Sequence, residues 1–180
     1  MKWHDLNGDT CPLARAMGVI GDRWTLLILR ECFLGVRRFD GFQKRLGVTR
    51  HLLAERLKRL ETMGVLERRP YQERPLRHEY RLTTAGKEFA PVLLAMQDWA
   101  QHNLPSAEPA PFTFVTRDSG AKVCPVLTDR DSGQELNHRT VLMVPATTAA
   151  SKVIEAHRRA PSTNSDLGQE TDSSTISDTG

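Results

Sequence analysis

The sequence contains no apolar run of about 18 residues, the length that a membrane-spanning helix requires. The opening segment, MKWHDLNGDT, has one Lys but no apolar stretch of the kind found in secretory signals. Three cysteines, Cys11, Cys32 and Cys124, are too few for a disulfide framework. No Cys-x-x-Cys pair occurs, so a zinc ribbon is not predicted. These absences favour a cytoplasmic protein in a reducing compartment, with no membrane partner.

Residue patterns typical of catalysis are also missing. The six histidines are scattered, and no Ser/His/Asp arrangement, Gly-rich phosphate loop or metal-ligand spacing is present. We therefore predict no catalytic residue, no metal and no cofactor. A Cys-dependent redox enzyme stays open as an alternative from another class, and it would require turnover by the purified protein.

Positive charge is concentrated in one part of the chain. Residues 37–87 carry 14 Lys/Arg against 6 Asp/Glu, a net charge of +8, whereas residues 106–180 carry 7 against 10, a net charge of −3. A basic region in an otherwise balanced chain is the electrostatic pattern expected of nucleic-acid binding. Many soluble domains carry a basic face without such a partner, so charge alone does not decide the function.

Proline and composition divide the chain into three regions. Helical patterning stops at the cluster Pro105, Pro109 and Pro111, and a Ser/Thr/Asp-rich stretch with almost no apolar residue follows Pro161. We predict a main domain at 8–104, a small β-rich appendage at 112–145 and a disordered tail at 161–180.

The main domain is predicted to be mainly α-helical with one hairpin. Pro12 suits the first position of a helix that Gly21 ends, and Thr49 is a typical N-cap. The helices are predicted near Pro12–Ile20, Trp24–Phe33, Asp40–Leu46, Thr49–Met63 and Thr83 or Thr84 to Asn103, with a kink or restart at Pro91. Strands are predicted at Val65–Tyr71 and His78–Leu82. Helix, Gly turn, helix and hairpin, in that order, are typical of a winged helix-turn-helix.

Several segments together resemble the HxlR-type family of bacterial regulators, and more broadly the MarR-like winged helix proteins. They are Cys11-Pro12-Leu13, IGDRWTLLILRECFLG (20–35), RRF (37–39), LLAERLKRLETMGVLERRPY (52–71) and YRLTTAGKE (80–88). The resemblance covers about residues 8–104. It implies a homodimeric DNA-binding repressor or activator, with the fourth helix as recognition helix, the hairpin as wing, and dimer contacts through the first and last helices.

The fourth helix has the pattern expected of a helix that enters the major groove of double-stranded DNA. At 100° per residue its leucines share one side, and the other side carries polar and small residues. The predicted DNA-binding residues are Arg50, His51, Ala54, Glu55, Lys58 and Arg59, with Arg74 and Arg77 near the hairpin tip. Arg56 falls on the buried side, where we predict a structural ion pair with a nearby Glu. A winged helix used only for protein interaction is the remaining alternative, and Arg50 and Lys58 argue against it.

The last helix is predicted to bury an apolar stripe against a second copy of the chain. Its apolar residues recur at helical spacing with no later domain to cover them. Packing within the chain, against the first helix or the appendage, is the alternative. The predicted dimer-interface residues are Leu13, Phe89, Val92, Leu93, Met96 and Trp99.

Cys11 is a candidate redox sensor. It lies beside the predicted start of a helix, whose positive end stabilises a thiolate, and Arg15 lies one turn further on. An exposed thiolate is the chemical group that an oxidant attacks, so an oxidant or a small-molecule effector is predicted as a further partner. The alternative is a capping or packing cysteine without chemistry. Cys32, inside an apolar helix, is predicted to be inert.

Overall fold

The computed structural model describes residues 10–104, 106–146, 148, 151, 152 and 155. The predicted tail at 161–180 lies outside these residues. The elements in chain order are α1 (Pro12–Ile20), α2 (Arg23–Phe33), α3 (Phe39–Leu46), α4 (Arg50–Thr62), β1 (Leu66–Gln72), β2 (Arg77–Leu82), α5 (Thr84–Lys87) and α6 (Ala90–Asn103). No helix in this described part is both long and apolar enough to cross a membrane.

Local signals in the sequence account for the ends of the helices. The Asp22 carboxylate accepts hydrogen bonds from the backbone N–H groups of Trp24 and Thr25, both at 3.1 Å, and so caps α2. The Thr49 hydroxyl accepts a 3.3 Å bond from the Leu52 N–H and caps α4. Gly47 ends α3 with a φ of 65°, a left-handed conformation that favours glycine. The turn between α3 and α4 is therefore short and set by its own residues.

The core lies among α2, α3, α4 and the start of the hairpin. One apolar face of each element supplies it, as the helical periodicity predicts. The buried apolar residues are Ile20, Ile28, Leu29, Phe42, Val48, Leu53, Leu57, Leu60 and Leu66. This packing holds α3 and α4 as a helix-turn-helix pair.

The hairpin is antiparallel and irregular near its tip. Leu66 pairs with Leu82 and Arg68 with Tyr80, and the register shifts between Pro70 and Gln72. The segment at Arg37 and Arg38 pairs with the edge of β2. The Tyr80 N–H donates a 2.8 Å hydrogen bond to the Arg37 carbonyl. A two-stranded wing with a small edge addition completes the winged helix-turn-helix.

The last long helix is interrupted where proline predicts a restart. Thr83 caps the short helix α5, and α6 then begins at Ala90, directly before Pro91. Proline lacks an N–H group and tolerates only the first turn of a helix, so the chain starts a new helix there.

The chain divides into two compact units between Pro125 and Val126, so the first unit contains the winged helix and the residues that follow it up to Pro125. In the first unit, Val115 and Lys122 form a single β-bridge that closes a small hairpin. In the second unit, Thr128 and Glu135 form a similar bridge. In the described residues after α6, the predicted β structure is thus limited to these two bridges, and residues 141–145 form no strand.

Candidate nucleic-acid interface

The exposed face of α4 presents most of the predicted DNA-binding residues. Leu53, Leu57 and Leu60 of this helix are fully buried, which turns the opposite face outward. The residues exposed on that face are Arg50, His51, Ala54, Glu55 and Lys58. The face therefore offers both charged and small groups, the combination used to contact phosphates and base edges.

Arg50 stands at the amino end of α4 and is positioned by α3. Its guanidinium lies 5.1 Å from the centre of the Phe39 ring and 4.0 Å from the Asp40 carboxylate. The side chain is nevertheless 73% exposed, so it can exchange these contacts for a phosphate. Lys58, two turns further along, is 74% exposed and lies 3.5 Å from Glu61.

Arg59 departs from the outward position that the periodicity predicts. It is half-buried, and its guanidinium donates a hydrogen bond to the Gly18 carbonyl of α1. Arg59 therefore links α4 to α1, whereas the exposed residues of α4 face outward.

The structural ion pair predicted for Arg56 is confirmed. The Arg56 guanidinium lies 3.1 Å from Asp22 and 2.6 Å from Glu55. Burial acts to raise the pKa of Asp22, but hydrogen bonds from Thr25 and the Arg56 charge outweigh it and hold that pKa below its usual value. Asp22 thus caps α2 and at the same time links α2 to the helix-turn-helix.

The hairpin tip carries the two remaining predicted DNA-binding residues. Arg74 and Arg77 are both exposed. Behind them, Arg68 lies 3.0 Å from the His78 ring, and the Arg38 guanidinium lies 4.5 Å from the centre of the Tyr71 ring. The tip is therefore a cationic projection beyond the packed part of the sheet.

A charge cluster around the buried Glu31 was not predicted from the sequence. Glu31 is only 1% exposed, and its carboxylate binds Arg30 at 2.6 Å and also Arg45 of α3. A glutamate inside the apolar helix α2 was the one available signal, because such a group is rarely buried without a partner. Its partner on α3 is 14 residues away in the chain, and only folding brings the two together.

The three cysteines occupy different environments. Cys11 is exposed at the N-cap position of α1, and Cys124 is also exposed. Burial, together with the nearby Glu31 charge, raises the pKa of Cys32 to about 12, so this thiol stays protonated near neutral pH.

Helix α6 is at least partly exposed along its whole length. No residue of α6, which the structure describes throughout, is fully buried. The exposed fractions are 65% for Leu13 of α1, and 42%, 45% and 59% for Val92, Met96 and Trp99 of α6. Phe89 and Leu93 instead pack partly against the core. An apolar face of this kind marks an interaction surface.

The fold and this surface define a winged helix-turn-helix DNA-binding protein, and comparison with known proteins agrees. A family profile described as an HxlR-like helix-turn-helix matches residues 19–108. The chain belongs to this family of transcriptional regulators, as the motifs of the sequence predicted.

Individual relatives extend the likeness beyond the family profile. The chain is 38% identical over 142 residues to MT3179 of Mycobacterium tuberculosis (strain CDC 1551 / Oshkosh), described as an uncharacterized HTH-type transcriptional regulator; the match covers 79% of this chain and 89% of that protein. The solved structure of PA1607, a proposed transcription factor, has a TM-score of 0.69 at 36% identity and covers 78% of this chain and 98% of that one. For PA1374 from Pseudomonas aeruginosa, also a proposed transcription factor, the TM-score is 0.52 at 35% identity, with 77% and 95% covered.

The match to MT3179 includes the region after α6. An alignment over 142 residues of this chain reaches at least residue 142, wherever it begins. The profile for the family ends at residue 108. The segment beyond the winged helix is therefore shared with a relative.

Proposed function

We propose that the chain is a repressor that binds operator DNA as a homodimer, with α4 in the major groove and the hairpin tip on the flanking backbone. The observation that carries this proposal is that the outward face of α4 and the hairpin-tip cations Arg74 and Arg77 are all exposed on one winged helix-turn-helix. The domain at 8–104 would then both read DNA and dimerise.

The proposed DNA-binding residues fall into two groups, those that contact phosphates and those that contact bases. Replacing Arg74 and Arg77 with Gln should weaken binding to every duplex and flatten the salt dependence by about two units of slope, since each phosphate contact contributes about 0.9. His51→Ala or Lys58→Ala should instead change the preferred sequence, because base contacts carry the specificity.

Duplexes selected from a random library supply the test ligands, and binding is measured by fluorescence anisotropy at several salt concentrations. Arg139→Gln, an exposed change in the second unit, is the matched control. The proposed contacts would be excluded if the Arg74/Arg77 variant kept the wild-type DNA affinity and the His51 and Lys58 variants kept the wild-type sequence preference.

Dimerisation is supported by the openness of α6. Val92, Met96 and Trp99 follow one another at helical spacing and are all exposed in the single chain. Two-fold symmetry would place two copies of α4 on half-sites about one helical turn of DNA apart. Trp99→Glu should shift the protein from dimer to monomer in analytical ultracentrifugation, because a buried unpaired charge is costly at an interface. A variant that sediments as the wild type does would count against this helix as the interface.

We propose that DNA binding is controlled by oxidation of Cys11 or by a small ligand. The thiol is exposed at the start of α1, which joins the α4 scaffold through the Gly18 carbonyl and Arg59. DNA affinity is measured with and without an oxidant in the wild type and in Cys11→Ser. An oxidant effect that persists in Cys11→Ser would remove Cys11 from the mechanism.

The sign of regulation is tested in cells. A dimer bound over a promoter would exclude RNA polymerase, so a reporter fused to the chain's own upstream DNA should rise when the gene is deleted. A fall in reporter signal would identify an activator.

A further inference from the structure

A cavity of about 460 Å³ lies beside the base of the hairpin, away from α4. Its wall includes residues from the loop before α3, both strands, α5 and the segment beyond the family domain. Leu66 of β1 is buried toward the core, so the alternate residues of the strand project to the opposite face of the sheet. The cavity residues Glu67 and Arg69 are on this outer face, which separates the cavity from the α4 surface.

The charge of this cavity is strongly unbalanced. Its wall carries five cations, Arg37, Arg69, Arg81, Lys87 and Arg117, and a single carboxylate, Glu67. Arg69 pairs with Glu67 at 2.7 Å, and Arg81 pairs with Glu79 at 2.6 Å. The side chains of Arg37, Lys87 and Arg117 have no ion-pair partner among the residues that the structure describes. Three uncompensated cations around one space attract an anion of several charges.

Arg117 reaches this cavity because the preceding segment is anchored to the winged helix. The Phe112 ring lies 5.7 Å from the Arg30 guanidinium and 5.8 Å from that of Arg45, the two arginines that bind the buried Glu31. Gln97 of α6 donates a 3.1 Å hydrogen bond to the Phe112 carbonyl. The chain is thus held by α2, α3 and α6 just before the turn that carries Arg117.

The hairpin that follows fixes the direction of that turn. The Thr116 N–H donates to the Ala121 carbonyl at 2.9 Å, and the Val123 N–H donates to the Phe114 carbonyl at 2.9 Å. Arg117 is the first residue of the turn between these bonds. The segment that lies beyond the family profile therefore supplies one wall of a cavity formed otherwise by the winged helix.

We propose that this cavity binds a small molecule that carries a di- or triphosphate group, and that the bound anion ties the 106–125 segment to the wing. Guanidinium groups bind phosphate oxygens in a two-pronged geometry, and four of the five cations are arginines. The negative charge of a di- or triphosphate is close to the excess positive charge of the cavity, whereas a monocarboxylate would leave most of the cations unpaired. The volume falls within the range of small-ligand sites.

Binding is tested by calorimetry on the full chain, with inorganic triphosphate as the probe and sulfate as the comparison anion. Arg117→Gln and Lys87→Gln should each weaken triphosphate binding at least tenfold. Arg130→Gln, the same change at an exposed arginine of the second unit, is the matched control and should bind as the wild type does. Equal affinity in Arg117→Gln and Arg130→Gln, or no binding by the wild type at millimolar triphosphate, would overturn the proposal.

The anchor is tested separately through Phe112. Phe112→Leu keeps an apolar side chain but removes the ring between the two guanidiniums, so triphosphate binding should fall several-fold although Arg117 is intact. Phe112→Tyr keeps the ring and should retain the wild-type affinity. If Phe112→Leu and Phe112→Tyr bind triphosphate with equal affinity, the ring does not position Arg117.

The same phosphate chemistry could come from the DNA backbone, and DNA binding distinguishes the two sources. For a small-molecule site, Arg117→Gln binds duplex DNA with unchanged affinity and salt slope when triphosphate is absent. A uniform loss of DNA affinity with a salt slope shallower by about one unit would assign these cations to DNA phosphates and refute the small-molecule site.

Discussion

Gly86 provides a sharp test of how the wing is attached to the helices. A methyl group added at this position would lie 2.2 Å from the Val65 carbonyl oxygen and 3.0 Å from a Leu82 methyl carbon. Since real Cβ atoms do not approach within 3.0 Å of such atoms, α5 and Val65, the residue before β1, must separate by about 0.8 Å. The same carbonyl accepts a 3.1 Å hydrogen bond from the Thr83 N–H, which this movement would weaken.

The expected cost of Gly86→Ala follows from these contacts. Overpacking costs about 1–3 kcal/mol, and a weakened hydrogen bond adds about 1 kcal/mol. Alanine recovers up to about 1 kcal/mol through its higher helix propensity. The net loss should be about 1–3 kcal/mol, which lowers the urea midpoint by about 0.5–1.5 M if the denaturant slope is about 2 kcal/mol/M.

Urea denaturation followed by circular dichroism, at one protein concentration, measures this loss. Gly41→Ala is the matched control, because its new methyl group would meet only a Val36 side-chain carbon, at 3.2 Å. The helix-propensity gain there offsets the tight contact, so its stability should stay within about 1 kcal/mol of the wild type. A Gly86→Ala protein as stable as Gly41→Ala would refute the close packing of α5 on Val65.

Three further predictions concern caps and thiols. Thr49→Ala removes the cap on the Leu52 N–H and should cost about 1 kcal/mol in chemical denaturation, with Thr49→Asn restoring most of it; equal losses in both variants would contradict a capping role. The folded-state pKa of Asp22 lies below its ordinary value of 3.8, so its stabilising contribution is complete above that pH and is lost as the pH falls through the lower pKa. Asp22→Asn should therefore flatten the acid limb of a stability–pH curve, and an unchanged limb would show that other groups control it. Cys32, with a pKa of about 12, should resist alkylation in the folded protein at pH values where the exposed Cys124 reacts. Mass spectrometry of labelled peptides measures the two labelling rates. Equal rates would contradict the burial that raises the pKa of Cys32.

The sequence by itself determined the elements and the family. Helix ends depend on groups only a few residues apart, such as the Thr49 hydroxyl and the Leu52 N–H, so local residue types predict them. The outward face of α4 follows from helical periodicity in the same way. The break before α6 was also predictable, because it depends on the chemistry of Pro91 alone.

Only the tertiary structure decided which side chains meet across the chain. Arg59 turns toward Gly18, and Glu31 receives Arg45, because packing of one helix on another sets these contacts. Arg117 reaches the wing cavity because a ring five residues earlier lies against two arginines of the winged helix. Such contacts join residues far apart in sequence, and neither propensity nor periodicity carries information about them.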